Sequence, residues 1–305
     1  MRAIVYDPGA RHGLRLGDVP DPAPARSQAL VRVAAMSLNF GEVRFMATHR
    51  KPGEVPGWDA AGIVVAAAED RSGPLAGTEV VTFGWSGGWA ELRAVDTDQL
   101  APVPDGVGLT DVAAMPVAGV TALRALRGLG SLIGRRVLVT GASGGVGHFA
   151  VQLAALGGAH VVAAVGSAER GEGLDAIGAA EVVVGLDHVT ERVAGAFDNV
   201  GGPLLADVYR LVEDGGIVLA VGMASGQPTT IDFEHARIHN AGAHIVAFNV
   251  GDRFGPDLDY LARLMAAGRL DSQIGWQGSW DDVAEAADAL LGRRVRGKAV
   301  LEVKP

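Results

Sequence analysis

The stretch Val137-Leu-Val-Thr-Gly141-Ala-Ser-Gly144-Gly145-Val-Gly147 decides the fold of this 305-residue chain. An apolar run leads directly into a cluster of glycines, and a segment of helical character follows over residues 147–156. Glycines at these positions permit a tight turn and the close approach of phosphates to the backbone. A helix that begins at such a loop presents unpaired N–H groups and its positive dipole end to those phosphates. The stretch therefore predicts the phosphate-binding unit of a dinucleotide-binding domain rather than a plain glycine-rich turn.

From residue 113 to residue 251, short apolar runs typical of strands alternate with helical or turn segments. This alternation indicates a parallel sheet joined by right-handed crossovers. The fold class is therefore predicted to be α/β, with a doubly wound parallel-sheet (Rossmann) domain over residues 113–251. The predicted strands cover residues 137–140, 161–165, 181–184, 196–200, 216–221 and 244–249.

The flanking segments have a different pattern. Residues 1–110 contain β-branched runs separated by glycine and proline, which predict a barrel-like β module with strands over 3–6, 29–34, 62–67 and 79–83. A helix is predicted over 111–127 from the spacing of its apolar residues. The tail has two helical segments, 258–267 and 281–291, and a strand over 298–303. Because a closing strand needs a sheet to join, residues 252–305 are expected to complete the module formed by residues 1–112.

The end of the second predicted strand of the α/β domain bears on which dinucleotide binds. An NAD site usually carries Asp or Glu there, which binds the ribose 2′-hydroxyl. Here Val165 is followed by Gly166 and Ser167. Ser167 and Arg170 are candidates to bind a 2′-phosphate, Arg170 through its bidentate guanidinium, and this favours NADPH. In the alternative, Glu169 binds the ribose of NADH and Arg170 is a solvated residue at a helix start.

Composition and charge limit the function. The chain carries 26 Lys and Arg against 35 Asp and Glu, a formal net charge of −9, which argues against nucleic acid and against an anionic membrane surface as partners. It has no cysteine, which excludes disulfides, thiolate metal sites and thiol nucleophiles. The N-terminus reads as a strand rather than as a signal peptide, and the uncharged residues 137–168 contain only short apolar runs. We expect a cytoplasmic protein.

Motifs along the whole chain resemble those of a known family. In order and spacing they resemble the medium-chain dehydrogenase/reductase superfamily, and the resemblance implies a GroES-like catalytic domain beside an NADPH-binding Rossmann domain. Besides the glycine loop, the motifs are Ser37-Leu-Asn-Phe40, Pro56-Gly-Trp-Asp-Ala-Ala-Gly62, Gly87-Gly-Trp-Ala-Glu91, Ala118-Gly-Val-Thr-Ala122 and Arg296-Gly-Lys-Ala-Val300.

Two positions distinguish the zinc-dependent members of this superfamily from the zinc-free ones. Where the zinc enzymes carry a Cys and a Gly-His-Glu element, this chain has Asn39 and Gly57-Trp58-Asp59, so we expect no metal. His235, His239 and His244 are a poor alternative set of ligands. The chain is similar to the zinc-free quinone oxidoreductases and enoyl reductases, in which a reduced nicotinamide delivers hydride to a carbon that is already electrophilic.

The resemblance also implies roles for single residues. Asn39 is expected beside the nicotinamide ribose and the substrate carbonyl. Arg44 stands where several relatives carry a Tyr as candidate proton donor; it can stabilise an enolate but is a poor acid, so water is the expected proton source. The other implied cofactor contacts are Thr121 near the nicotinamide, Ser143, Gly144, Gly145 and Val146 at the pyrophosphate, and Asn199, Gly222, Phe248, Asn249 and Val250 on the other side. The expected pocket walls are Arg44, Trp85, Trp89 and Asn249, although Trp85 fits equally as a packing residue.

The leading hypothesis is an NADPH-dependent, zinc-independent reductase of quinones or α,β-unsaturated carbonyls. A free-standing enoyl reductase that acts on an acyl thioester, in polyketide or fatty-acid-type synthesis, is the alternative with the same chemistry. A non-catalytic NADPH-binding relative is the alternative outside it, favoured by the missing Tyr. The apolar edge near residues 244–249 is expected to pair with its copy in a homodimer, as is common in this family.

Overall fold

The computed structural model of the chain describes residues 1–303. They form two compact units, one made of Met1–Val120 with the chain from Asp252 onward, and one made of Thr121–Gly251. The limits predicted from the sequence fall after residues 112 and 251. No helix among residues 1–303 combines the length and the apolar character needed to cross a membrane.

The secondary structure follows the chain in this order. The first part contains β1 Arg2–Tyr6, β2 Leu14–Asp18, β3 Gln28–Leu38, α1 Phe40–Arg44, α2 Met46–His49, β4 Asp59–Ala66, β5 Glu79–Phe83, β6 Leu92–Asp96, β7 Leu100–Pro102, α3 Leu109–Ala113 and α4 Pro116–Gly128. The middle part contains β8 Arg136–Thr140, α5 Gly145–Leu156, β9 His160–Val165, α6 Ala168–Gly171, β10 Glu181–Val184, β11 Val193–Asp198, α7 Pro203–Leu211, β12 Val212–Ala220, α8 Phe233–His239 and β13 His244–Ala247. The tail contains α9 Gly255–Ala266, β14 Ile274–Ser279, α10 Val283–Leu291 and β15 Lys298–Glu302.

The second unit is built on a parallel sheet with the strand order β10-β9-β8-β11-β12-β13. The chain runs outward from β8 through β9 to β10, then returns to β11 and continues through β12 to β13. The order therefore reverses between β8 and β11, and in doubly wound sheets ligands bind at the carboxyl ends of the strands at such a reversal. Its inner strands β9, β8 and β11 are apolar and largely buried, as parallel strands covered on both faces must be, whereas the edge strands β10 and β13 are partly exposed. The predicted Rossmann fold is confirmed.

The first unit is built on a largely antiparallel sheet with the order β14-β15-β3-β4-β5-β7, in which β6 also pairs with β3. Ser37 of β3 lies opposite Asp59 of β4 on one side and opposite Val300 of β15 on the other. This register brings Lys298, at the start of β15, beside Asn39, which directly follows β3. The strand from the tail thus supplies a residue to the same place as the two strands from the N-terminal part.

Hydrophobic cores of the two units are separate clusters. In the first unit, the fully buried Trp89 and Trp280 pack with Ile4 and Met36. In the second unit, residues of the parallel strands pack against α7. Each cluster packs against the sheet of its own unit.

Some predicted elements differ from the observed ones. The single helix predicted over 111–127 is two helices, α3 and α4, because Pro116 has no N–H to continue a helix and is suited to begin one. α5 begins at Gly145 rather than at residue 147, and β11 ends at Asp198 rather than at residue 200. The sequence did not predict β2, β6, β7 or β14, which are short or mix polar with apolar residues.

Candidate active site

The glycine loop after β8 has the geometry that a phosphate-binding turn requires. Gly141 has a φ of +58°, in the left-handed region that favours glycine. A Cβ at Gly147 would lie 2.3 Å from the carbonyl oxygen of Gly141, so the helix packs against the turn too closely for a side chain. Gly144 is the N-cap of α5, which begins at Gly145, and the first N–H groups of a helix have no intrahelical acceptor. This cradle fits the pyrophosphate of a dinucleotide.

The turn after β9 contacts the glycine loop through a side chain. Nε of Arg170 donates a hydrogen bond to Oγ of Ser143 at 2.8 Å. Ser143 is buried, whereas Gly166, Ser167 and Glu169 are exposed. A guanidinium is therefore anchored on the glycine loop, next to the strand end where NAD sites carry a carboxylate.

The turns after β11 and β12 are tied to each other and to β8. Nδ2 of Asn199 donates to the carbonyl oxygen of Thr140 at 2.8 Å, and Oγ1 of Thr140 donates to Oδ1 of Asp198 at 2.6 Å. Desolvation raises the pKa of the buried Asp198 carboxyl. A Cβ at Gly222 would lie 2.5 Å from the carbonyl oxygen of Asn199. Asn199 and Gly222 are thus held side by side.

The turn after β13 is held by three contacts. The N–H of Phe248 donates to the carbonyl oxygen of Ala220 at 3.0 Å. Oδ1 of Asn249 accepts an N–H from its own turn at 2.8 Å, and the carbonyl oxygen of Val250 accepts from Arg124 at 2.6 Å. Phe248 and Val250 are half-buried, and Asn249 is exposed.

Nearly all candidate cofactor residues of the second unit therefore directly follow the carboxyl end of a parallel strand. They lie together at the end of the sheet where these strands terminate. Thr121 differs, because it is a buried residue of α4. The residues gathered at the edge are Ser143, Gly144, Gly145 and Val146 after β8, Gly166, Ser167 and Arg170 after β9, Asn199 after β11, Gly222 after β12, and Phe248, Asn249 and Val250 after β13.

In the first unit, Asn39 is part of a buried polar cluster with Asp59 and Lys298. Nδ2 of Asn39 donates to Oδ2 of Asp59 at 2.9 Å, and Oδ1 of Asn39 accepts from Nζ of Lys298 at 2.7 Å. Nζ of Lys298 also lies 3.4 Å from Oδ2 of Asp59. The exposed fractions are 8% for Asn39, 0% for Asp59 and 3% for Lys298, so water competes little for these contacts.

Asp59 and Lys298 use the rest of their hydrogen-bonding capacity on neighbouring groups. Asp59 accepts from Oγ of Ser37 at 3.0 Å and from the backbone N–H of Val117 at 3.0 Å. Lys298 donates to the carbonyl oxygen of Leu38 at 3.2 Å. Burial lowers the pKa of Lys298, while the charge of Asp59 opposes that shift. A buried pair that is satisfied in this way is held in one arrangement.

Glu42, on α1, is a buried carboxyl near the same cluster. Its Oε1 accepts the backbone N–H of Gly57 at 3.0 Å, whereas its Oε2 has no hydrogen-bond partner among the described residues. Desolvation, reinforced by the charge of Asp59, raises the pKa of Glu42 to about 8. The carboxyl is therefore largely protonated at neutral pH.

Sequence reasoning did not identify Asp59, Lys298 or Glu42 as site residues. Asp59 and Lys298 both lie inside quoted motifs, Pro56–Gly62 and Arg296–Val300. What was missing was the register of β3 with β4 and β15, which alone brings the two motifs together.

The side chains expected to line a substrate pocket have different surroundings. Arg44 ends α1, is exposed and borders a surface groove with Tyr6 and Met46. Among residues 1–303, no hydrogen bond or ion pair joins Arg44 to Asn39. Trp89 is completely buried, and its Nε1 donates to the carbonyl oxygen of Ser37 at 3.2 Å, so the expectation that it forms a pocket wall is wrong.

Trp85, in contrast, is 49% exposed. Its ring makes edge contacts with the rings of Trp58, at 5.3 Å between centroids, and Phe83, at 4.9 Å. Trp58, which the family resemblance places at the second zinc position, is half-buried. The two indoles form an aromatic pair in the unit that carries Asn39.

The donor groups at the two zinc positions do not fit a zinc ion. Oδ1 of Asn39 accepts from the ammonium of Lys298, which would repel a second cation, and Trp58 offers no ligand. Within the described part of the chain, no group of three or more His, Asp or Glu side chains is arranged to hold a metal ion. His235 and His239 lie on α8 with ring centroids 4.4 Å apart.

Two family models match the chain. One, described as the alcohol dehydrogenase GroES-like domain, covers residues 25–105, and the other, described as zinc-binding dehydrogenase, covers residues 145–267. The first match confirms the GroES-like fold that was expected for the N-terminal module.

Curated relatives and solved structures agree with these matches. The chain is 33% identical to the acrylyl-CoA reductase AcuI of Ruegeria pomeroyi, over 83% of this chain and 82% of that protein. It is 30% identical to the chloroplastic quinone-oxidoreductase QR1 of Triphysaria versicolor, over 99% of this chain and 98% of that protein. The structure of Escherichia coli quinone oxidoreductase complexed with NADPH has the same fold, with a TM-score of 0.88, 21% identity, and coverage of 99% of this chain and 100% of that one. The chain therefore belongs to the medium-chain dehydrogenase/reductase superfamily, as an oxidoreductase of its zinc-free branch.

Proposed function

We propose that this protein is an NADPH-dependent, zinc-independent reductase that transfers hydride to a quinone or an α,β-unsaturated carbonyl. The observation that carries the proposal is the contact between Arg170 and Ser143, which anchors a guanidinium on the phosphate-binding loop. A cation at this place favours the 2′-phosphate of NADPH over the free hydroxyl of NADH. In the alternative, the exposed Glu169 binds the ribose of NADH.

The relatives support the acceptor class. Two proteins that are 33% and 30% identical to this chain are named as an acrylyl-CoA reductase and a quinone-oxidoreductase, and the structural neighbour from Escherichia coli was solved with NADPH. Quinones and enones share an electrophilic carbon conjugated to a carbonyl, which needs no metal to accept hydride.

The residues have distinct tasks in this proposal. The N–H groups at the start of α5 bind the pyrophosphate, and Arg170 binds the 2′-phosphate. When bound, the reduced nicotinamide supplies the hydride. Asn39 donates a hydrogen bond to the acceptor oxygen as negative charge develops there. Arg44 stabilises the resulting enolate, and water supplies the proton.

The remaining cofactor contacts that we propose follow from their position at the carboxyl edge of the sheet or, for Thr121, from the family resemblance alone. They are Gly166 and Ser167 at the 2′-phosphate, Ser143, Gly144, Gly145 and Val146 at the pyrophosphate, and Thr121, Asn199, Gly222, Phe248, Asn249 and Val250 along the rest of the cofactor.

The test follows NADPH or NADH absorbance with a panel of quinones, enones and an alcohol under otherwise equal conditions. We expect turnover of quinones or enones with NADPH and a kcat/KM at least about tenfold lower with NADH, since one charge-assisted hydrogen bond contributes about 1.5–3 kcal/mol. NADPH binding without turnover of any acceptor would instead support the non-catalytic alternative.

A second candidate, an enoyl reductase that acts on acyl thioesters, is favoured by the 33% identity to an acrylyl-CoA reductase. Acrylyl-CoA and crotonyl-CoA belong in the same panel. A kcat/KM for a thioester that exceeds the value for every quinone by tenfold or more would assign the protein to this candidate.

A further inference from the structure

Only one orientation of the Asn39 amide lets it form hydrogen bonds with both of its neighbours. A lysine ammonium can only donate hydrogen bonds, and an ionised carboxylate can only accept them. Nζ of Lys298 lies 2.7 Å from one end of the Asn39 amide, and Oδ2 of Asp59 lies 2.9 Å from the other. The oxygen must therefore face Lys298 and the nitrogen must face Asp59. A flipped amide would set donor against donor and acceptor against acceptor.

The two neighbours are themselves fixed. Lys298 is bound at once by Asn39, Asp59 and the carbonyl oxygen of Leu38. Asp59 is bound in addition by Ser37 and by the backbone of Val117. These groups come from β3, β4, β15 and the start of α4, so several elements hold the orientation of a single side chain.

The ammonium also changes the electronic state of the amide. A charge-assisted hydrogen bond to the amide oxygen draws electron density from the nitrogen, and linked hydrogen bonds strengthen one another in a buried site. One N–H of Asn39 is already donated to Asp59, and the remaining N–H is consequently a stronger donor than that of a free carboxamide. Lys51, by comparison, is exposed.

We infer that Lys298 and Asp59 are positioning residues, which orient and polarise the Asn39 amide so that it can donate to the oxygen of the hydride acceptor. The inference rests on the proposed function, because it gives Asn39 a task only if hydride is transferred to a conjugated carbonyl. Neither residue touches the reacting atoms in this scheme, and both act through Asn39.

A double-mutant cycle tests this dependence. We expect Asn39→Ala to lower kcat by about a hundredfold, as removal of one preorganised donor does elsewhere. Lys298→Met should lower kcat by about tenfold or more with little change in the Kd for NADPH. The double variant should be no slower than Asn39→Ala alone, because Lys298 acts only through Asn39. Losses that multiply would overturn the inference, and so would a Lys298→Met variant with wild-type kcat.

Removal of one partner leaves the other charge buried and unpaired, which destabilises the fold. The variant Asp59→Asn with Lys298→Met removes both charges together and keeps the volume. Near-ultraviolet circular dichroism checks that it is folded. The inference predicts the same loss of kcat in this folded variant, whereas a purely structural pair predicts recovery of activity together with the fold.

A second readout does not need turnover. The chain has four asparagines and three lysines, so selective ¹⁵N labelling of asparagine gives four side-chain NH₂ signals, and Asn39→Ala assigns one of them. Lys298→Arg should shift the Asn39 signal, and the exposed control Lys51→Met should not. If the chemical shift of the Asn39 side chain is the same in the wild type and in every Lys298 variant, the inference is overturned. A shift in a protein that reduces no acceptor would leave the amide orientation intact and refute the proposed function instead.

Discussion

Nε of Arg170 and Oγ of Ser143 lie 2.8 Å apart, which ties the turn after the second strand of the parallel sheet to the phosphate-binding loop after the first. Ser143 is buried, and its hydroxyl accepts the hydrogen bond that holds the guanidinium at the loop. In the proposed function, the charge that would distinguish NADPH from NADH is therefore held by the glycine loop that would bind the pyrophosphate.

Replacement of Arg170 by Gln should weaken NADPH binding about ten- to hundredfold, because a hydrogen bond between charged groups contributes about 1.5–3 kcal/mol. The Kd for NADH should change by less than about threefold, since NADH has no 2′-phosphate. Isothermal titration calorimetry of both cofactors with the wild type and the variant measures the two effects.

Two further variants test whether a loss of NADPH affinity is specific to Arg170 and whether Glu169 binds NADH instead. Arg237→Gln removes an exposed arginine paired with Glu234 on α8 and should leave both cofactors unaffected. Glu169→Gln should not weaken NADH binding if Arg170 sets the preference. A loss of NADH affinity in Glu169→Gln, with NADPH unchanged in Arg170→Gln, would show that the chain binds NADH through Glu169.

Local sequence was enough to predict the parallel sheet and the glycine loop at the carboxyl ends of its strands. The glycines at 141 and 147 are required by a positive φ and by a contact of 2.3 Å, both of which are properties of a few consecutive residues. The alternation of strands and helices likewise follows from short apolar runs. The order of the candidate cofactor residues after the strand ends could therefore be predicted, while their contacts with a cofactor stay a prediction.

The cluster around Asn39 could not be predicted in this way. Lys298 and Asn39 are 259 residues apart, and nothing near either one indicates that β15 pairs with β3. Mixed polar strands such as β2 and β14 were missed because their alternation is weak, and Pro116 was overlooked as the start of a helix. Pairing between distant strands depends on tertiary packing, which local patterns do not encode.

Glu42 should make the stability of the protein depend on pH. Its folded-state pKa of about 8 lies above the ordinary value of 4.5, so the folded state binds the proton more tightly than the unfolded chain. The stabilisation is fully present below pH 4.5 and is lost as the pH rises through about 8. Between these values the free energy of unfolding should fall by up to about 1.4 kcal/mol per pH unit from this group.

Glu42→Gln isolates that contribution. Gln keeps an oxygen that accepts from Gly57 but cannot ionise, so the variant should gain stability over the wild type as the pH rises from 5 to 9 and match it more closely at pH 4.5. Urea unfolding at each pH gives the difference. Groups that do not interact with Glu42 are common to both proteins and cancel in it, whereas the charge of Glu42 also raises the pKa of Lys298 and of Arg93. A difference that is constant across this range would contradict the raised pKa.

Trp85 and Trp89 should respond differently to mutation. Trp85→Ala removes a half-exposed ring whose edge contacts contribute about 0.5–1.5 kcal/mol each, so the protein should stay folded. If the aromatic pair with Trp58 borders the acceptor, the KM for a planar aromatic quinone should rise about three- to tenfold, while the KM for a small aliphatic enone should not. Steady-state kinetics with both acceptors measures this.

Trp89→Phe is the matched control. It removes the hydrogen bond to the carbonyl oxygen of Ser37 inside the core, so it should lower the free energy of unfolding by about 1–3 kcal/mol without discriminating between acceptors. Equal changes in KM for both acceptors in Trp85→Ala would mean that Trp85 serves packing alone.

The edge strand β13 provides a test of the expected homodimer. Val246 on this strand is 43% exposed, and Phe233 and Ile238 of the neighbouring α8 are 74% and 64% exposed. An open apolar edge is suited to pair with its own copy, and a charge on such an edge prevents pairing. Val246→Lys should therefore convert a dimer into a monomer in multi-angle light scattering.

Val184 on β10, the opposite edge of the same sheet, is 45% exposed, so Val184→Lys is a control of matched exposure that should leave the dimer intact. A wild-type mass equal to one chain at tens of micromolar, or dissociation by Val184→Lys rather than Val246→Lys, would rule out assembly through β13.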